Sequence, residues 1–175
     1  MQQSASSSRT RKLLLAGLLG LLAQAFVCLP FVEAPDLLVR HFDGPNYMVV
    51  AKTFYTPTEV NPMPGYIGTP RYYAVHLPLY PAAVRMFAMA VGYPGGLLLA
   101  TAFFGALSAA AFVLYLETIR PGAAWLSMLL AFLLLPPRSL LYRAIGATEA
   151  PMALFTLLVA WAFHLQRFPL SLIHI

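Results

Sequence analysis

Uncharged runs separated by short polar joints set the pattern of this chain. Residues 1–12 are polar and Ser-rich and end in Arg9, Arg11 and Lys12; Leu13 to Phe31 follows as nineteen residues without a charge. As a helix that run is about 28 Å long, close to the hydrocarbon thickness of a bilayer. A cleaved leader shares the basic start, but its apolar core is about 7–15 residues and ends in a small-x-small site that is not clean here. A retained signal anchor is therefore the better reading, with the basic head on the cytoplasmic side. Residues 33–76 are different material, holding Glu33, Asp36, Asp43 and Glu59 among prolines, tyrosines and two histidines. Within them Pro45 to Tyr55 predicts a short helix with Tyr47, Val50, Ala51 and Phe54 on one face, and Thr56 to Tyr73 predicts a long loop.

The second half continues the alternation. Residues 76–93 are apolar but contain Pro78, Pro81 and Arg85, which predicts an interfacial or re-entrant helix rather than a span. Pro94-Gly95-Gly96 predicts a break. Uncharged runs then cover 95–116, with Gly105 and Ala109 as a small pair suited to helix packing, and 121–137, closed by Pro136-Pro137. Residues 149–165 form the last apolar run. The predicted fold is all-α: a polytopic transmembrane helix bundle with spans at 13–32, 95–116, 121–137 and 149–165. Its long external first loop carries short juxtamembrane helices. If 76–93 does not cross, the loop 33–76 and Glu149 share the non-cytoplasmic side; if it crosses, they face opposite compartments.

Composition narrows the class. Hydrophobic residues make up 60% and charged residues 10% of the 175 positions, with six acids against eleven bases, and the mean hydropathy is +0.74. Soluble domains carry about 25% charged residues, so a soluble enzyme, a disordered chain and a disulfide scaffold are excluded. The bases form no stripe, which argues against a nucleic-acid partner. Cys28 is alone and reads as an inert thiol in an apolar helix.

No glycine-rich phosphate loop, HExxH, CxxC or GxSxG is present. The candidates for chemistry are ionisable residues at the edges of apolar runs. Asp43 stands where an N-cap would stand, so cap and functional carboxylate are both open. Glu149 suits the first turn of a helix. The uncharged stretch behind it is only fourteen residues, about 21 Å, which draws the acid to the membrane boundary, where it needs a partner such as Arg143, a metal or a polar cavity. Arg85 either snorkels to headgroups or holds a phosphate. His41 and His76 flank the loop, and Tyr66, Tyr72, Tyr73 and Tyr80 are interfacial aromatics or sugar-stacking groups.

Three of these segments occur together in a known order. Phe42-Asp43-Gly44-Pro45-Asn46-Tyr47, followed by Ala51 and Tyr55, resembles the D-G-x-x-Y-x-x-x-A-x-x-x-Y opening of the first external loop in GT-C membrane glycosyltransferases, nearest to the PIG-V-type mannosyltransferases. His76-Leu77-Pro78-Leu79-Tyr80-Pro81, with Arg85, resembles that group's F-F-P-L-Y-P-x-x-x-R element. Thr148-Glu149-Ala150-Pro151 is similar, more loosely, to its Y-T-E-S-L-F element. The resemblance implies a multi-pass enzyme that moves a sugar, mannose or another hexose, from a lipid-phosphate donor to a glycan, lipid or protein acceptor on the external or lumenal face. Asp43 is then the catalytic base and Glu149 a supporting acid, with Tyr47, His76, Tyr80, Arg85 and Arg143 against substrate. No metal ligand set is implied; a divalent cation stays open as a cofactor, without a dedicated cage for it. The implied location is a bacterial inner membrane, or the endoplasmic reticulum in a eukaryote. Family members are longer, so the chain is expected to be an N-terminal fragment and not necessarily active alone. Its tail 166–175 includes Leu170-Ser171-Leu172-Ile173-His174-Ile175, which resembles translated adapter sequence. The rival expectation is a transporter or lipid-handling protein, whose acids would sit at mid-depth on broken helices.

Overall fold

The first apolar run folds as α1 (Gln2–Cys28) in the computed structural model, which describes residues 2–40, 43–55, 77–135 and 145–165. From Leu13 onward its outward side chains are apolar, with Leu14, Leu18 and Phe26 each more than half exposed. Two 3-10 turns, Leu29–Phe31 and Pro35–Leu38, lead to α2 (Gly44–Thr53), each with proline in its first turn, where a missing N–H is tolerated. α2 ends before the predicted Tyr55 because Phe54 and Tyr55 adopt φ of 47° and 69°. The Phe54 N–H closes the last turn on the Val50 carbonyl at 2.7 Å.

α3 (Leu79–Ile119) is broken at Gly92, where φ is 76° and ψ 168°. The sequence places the break at Pro94-Gly95-Gly96; it falls two residues earlier. Gly92 takes the left-handed conformation without steric cost, and Pro94 then occupies the first turn of the new segment, where its absent N–H is harmless. Across the break the chain folds back. A Cβ on Gly96 would lie 2.7 Å from the Val84 carbonyl oxygen and 2.8 Å from the Ala88 nitrogen, and the Phe87 ring is 5.8 Å from that of Phe103. Segment 79–91 thus lies against the first turns of segment 93–119.

α4 (Trp125–Leu134) is shorter than the run 121–137 that predicts it, and α5 spans Glu149–His164. Two contacts fix the direction of α1 against α3: Lys12 meets Glu117, and Gly20 meets Ala106 and Ala109. The pair is antiparallel. A Cβ on Gly20 would lie 3.1 Å from Ala109 Cβ and 3.2 Å from the Gly105 carbonyl, so the small residues of both helices set their close approach. α5 runs parallel to segment 93–119, since Ser108 meets Ala150 and Thr118 meets Trp161. α4 returns against α1 and segment 93–119, with Phe132 stacked on Phe112 at 4.6 Å and Leu129 and Leu133 buried among Ala16, Ala109 and Val113.

The bundle therefore has two distinct ends. One holds Arg9, Arg11, Lys12, Glu117 and Arg120; the other holds α2, segment 79–91 and the start of α5. Every regular element among the described residues is helical. Two helical stretches, Ser7–Phe31 and Leu79–Ile119, are long and apolar enough to cross a membrane, and α4 and α5 are shorter apolar helices.

Candidate functional site

The end opposite the basic head is built on α2. Gly44 is buried there because a Cβ would lie 3.2 Å from the Ile145 carbonyl and 3.3 Å from the Val39 carbonyl. Gly146 (φ 62°) answers it from the other side, where a Cβ would strike the Leu97 side chain at 2.5 Å. These two glycines let the first turn of α2 and the turn before α5 approach through backbone. Asp43 and Glu149, distant in sequence, come to the same end of the molecule.

Asp43 occupies the N-cap position of α2, and its carbonyl accepts the Tyr47 N–H at 3.0 Å. Its carboxylate makes no capping bond. Exposed to solvent, it accepts instead from Asn46 Nδ2 at 3.3 Å through Oδ1. Capping thus does not explain the acid. One turn on, Tyr47 is buried, and its hydroxyl donates to Thr148 Oγ1 at 3.2 Å. This bond joins the helix that carries Asp43 to the residue before Glu149.

Tyr80, from segment 79–91, sits behind Tyr47 with its ring edge-on, centroids 5.0 Å apart and planes at 89°. It is 2% exposed, so its hydroxyl must be satisfied internally. Thr101 does this at 2.6 Å, passing its own hydrogen to the Leu97 carbonyl at 3.0 Å. Val84, Leu97, Ala100, Phe104 and Leu154 close an apolar floor beneath the two tyrosines. One polar atom here is not satisfied: Oε2 of Glu149 is buried and has no hydrogen-bond partner among the described residues.

Arg85 is placed elsewhere. It is exposed, and its guanidinium lies 5.5 Å above the Phe54 ring, at the far end of α2 and so about 15 Å along that helix from Asp43. Beside it, burial pushes the Tyr55 hydroxyl above its ordinary range. His76 and Arg143, like His41 and Tyr66, Tyr72 and Tyr73, lie outside the described residues, as do the loop 56–73 and the tail 166–175. Among the described residues no three His, Cys, Asp or Glu side chains gather as metal ligands.

The structure adds Thr101 and Ser108 to the residues singled out by sequence, and gives Thr148, there only part of a motif, a partner in Tyr47. Ser108 Oγ lies 2.7 Å from the Phe104 carbonyl and 2.9 Å from that of Ala150, which seats the first turn of α5. A signal for two of them is present in the sequence: Thr101 and Ser108 are hydroxyls seven residues apart in an uncharged run, so they share one helix face. The pair Tyr47–Thr148 spans 101 positions and has no local signature. Comparison with family models, with curated proteins and with solved structures finds no match for this chain.

Proposed function

We propose that the chain is part of a multi-pass membrane glycosyltransferase that takes a sugar from a lipid-phosphate donor on the non-cytoplasmic side. The membrane part of this reading is supported by the segregation of charge. No charged residue occurs in 13–32, 86–116, 121–137 or 150–163, and the outward side chains between the two ends are large and apolar, Met152 at 69% and Phe163 at 70% exposure among them. Such a surface belongs against lipid rather than water. With Arg9, Arg11, Lys12 and Arg120 in the cytoplasm, α1, segment 93–119, α4 and α5 give four crossings, and Asp43 and Glu149 share the outer side.

The observation that carries the transferase reading is the Tyr47–Thr148 hydrogen bond. It ties together the two carboxylate-bearing elements of the GT-C-like motifs. Neither acid lies on the broken helix α3, where a transporter reading would seek them. In the proposed reaction Asp43 accepts the proton of an acceptor hydroxyl while that oxygen attacks the anomeric carbon. The bond from that carbon to the phosphate oxygen breaks, and the lipid phosphate leaves as an anion whose charge a cation such as Arg143 neutralises; Arg85, over Phe54 at the far end of α2 from Asp43, stands too far away for that part. One displacement gives inversion. The test is transfer of labelled mannose from a polyprenyl-phosphate donor in membrane vesicles made from the full reading frame. Transfer by the wild type and its loss in Asp43→Asn support the reading; equal transfer by both, or none above empty vesicles, overturns it.

A further inference from the structure

We propose that the basic end of the bundle is a binding site for the phosphate headgroup of an anionic phospholipid. The inference rests on the membrane reading above and is independent of the transferase chemistry. α1 carries Arg9, Arg11 and Lys12 just outside its apolar run. Successive helix positions turn by about 100°, so Arg9 and Arg11 point to nearly opposite sides with Lys12 between them. A cleft lies on each side. One, of about 660 Å³, is lined by Arg9, Lys12, Glu117, Thr118 and Trp161, with the Glu117 carboxylate held by Lys12. The other, of about 400 Å³, is lined by Arg11, Lys12, Leu15 and Trp125. Both tryptophans of the chain thus stand beside these bases.

The charges are not equivalent. Lys12 is committed to Glu117 at 2.8 Å, with both side chains mostly covered. Arg9 and Arg11 are exposed and form no ion pair among the described residues. Each cleft therefore offers a guanidinium, whose fork of donors suits a phosphate oxygen pair, above an indole, a side chain that favours the level of lipid headgroups. The Trp161 N–H is spent on Thr118 Oγ1 at 3.1 Å, which fixes the ring in the lining of its cleft. Just beyond the bases, Leu14, Leu15 and Leu18 of α1 are exposed and apolar, so the ligand that fits is a phosphate carrying acyl chains rather than a free anion.

The tryptophans make the site directly readable. The chain is reconstituted into phosphatidylcholine vesicles containing a fixed fraction of brominated lipid, either brominated phosphatidylglycerol or brominated phosphatidylcholine, and indole quenching is compared. Wild type is expected to be quenched preferentially by the phosphatidylglycerol, and Arg9→Gln/Arg11→Gln to lose about fivefold of that preference per arginine. Trp161→Phe and Trp125→Phe assign the signal to each cleft. Equal quenching by the two lipids, or a preference unchanged in the double variant, overturns the site while leaving the membrane reading standing. Absence of quenching by either lipid overturns both. Loss of the preference on adding inorganic phosphate overturns the lipid as the ligand in favour of a free anion.

Discussion

The two ends of the bundle treat their polar side chains differently. At the basic end the polar groups that face the interior have partners. Lys12 meets Glu117, and Thr118 donates to the Leu114 carbonyl at 2.8 Å while accepting from Trp161. At the outer end Thr148, Tyr47, Tyr80 and Thr101 are linked one to the next, yet the carboxylates beside them have no such partners among the described residues. Asp43 faces solvent without capping its helix, and a buried oxygen of Glu149 has no donor among the described residues. An unmet buried acceptor costs about 1–3 kcal/mol, more when charged. Polar groups at the first end therefore hold helices together; those at the second hold acids in place.

The sharpest way to break this contrast is Asp43→Asn. Its carboxylate makes no cap bond, and asparagine can keep the contact to Asn46, so the thermal midpoint should not move. Sugar transfer by the full reading frame should fall at least about 100-fold, the usual contribution of a general base. A stable variant with intact transfer would reduce Asp43 to an ordinary surface acid.

The opposite end should respond in the opposite manner. Lys12→Met leaves Glu117 partly buried and unpaired, at 19% side-chain exposure, and should cost about 1–2 kcal/mol, between the values for exposed and buried pairs. Adding Glu117→Met should recover most of the loss, because the apolar pair no longer carries a desolvated charge. Thermal unfolding in detergent reads both, and transfer should be unaffected once the protein is folded. A double variant no better than Lys12→Met would show that the lysine acts through its stem, not its charge.

How far this contrast could be seen in the sequence depends on the distance over which it is encoded. The small pair Gly105 and Ala109 predicts a close helix approach, and Gly20 supplies it, because i, i+4 spacing is local. The identity of the break in α3 is less legible. Pro94-Gly95-Gly96 is the louder signal, yet proline is comfortable at a helix start, and the isolated Gly92 is the residue free to take positive φ. Helix periodicity groups Tyr47 with Phe54, but Phe54 leaves the helix in a left-handed conformation and turns outward under Arg85. The long-range contacts are the least legible of all. Lys12–Glu117 and Tyr47–Thr148 each join positions more than a hundred residues apart, and only packing decides such pairs. The acids were visible as lone charges beside apolar runs, their supporting hydroxyls hardly at all.

Matched threonine substitutions sharpen the comparison. Thr148→Val removes the acceptor of the buried Tyr47 hydroxyl, and Thr118→Val removes the acceptor of the Trp161 N–H. Each should cost about 1 kcal/mol, the net worth of one such hydrogen bond. Only Thr148→Val should also lower transfer, since it loosens the element carrying Asp43 from the one carrying Glu149. Equal effects on transfer would mean that neither contact positions anything.

A small effect on stability is also expected at Glu149 itself, where two contributions oppose each other. A carboxylate in the first turn of α5 gains from the helix dipole, about 0.3–1 kcal/mol. Against this, its buried Oε2 lacks a donor among the described residues, and neutralising such a group returns a similar amount. Glu149→Gln keeps the size and removes the charge, so its thermal midpoint should stay level or rise slightly. A purely structural acid would behave differently, because a residue retained for the fold destabilises when its charge is removed. Transfer is the other half of the test. If the negative charge near Tyr80 and Thr148 supports the reacting centre, transfer falls in Glu149→Gln even though the protein is no less stable, an opposition that loss of folding cannot produce. A marked drop in midpoint together with unchanged transfer would put Glu149 with the residues of the basic end, as a group that holds helices and nothing more.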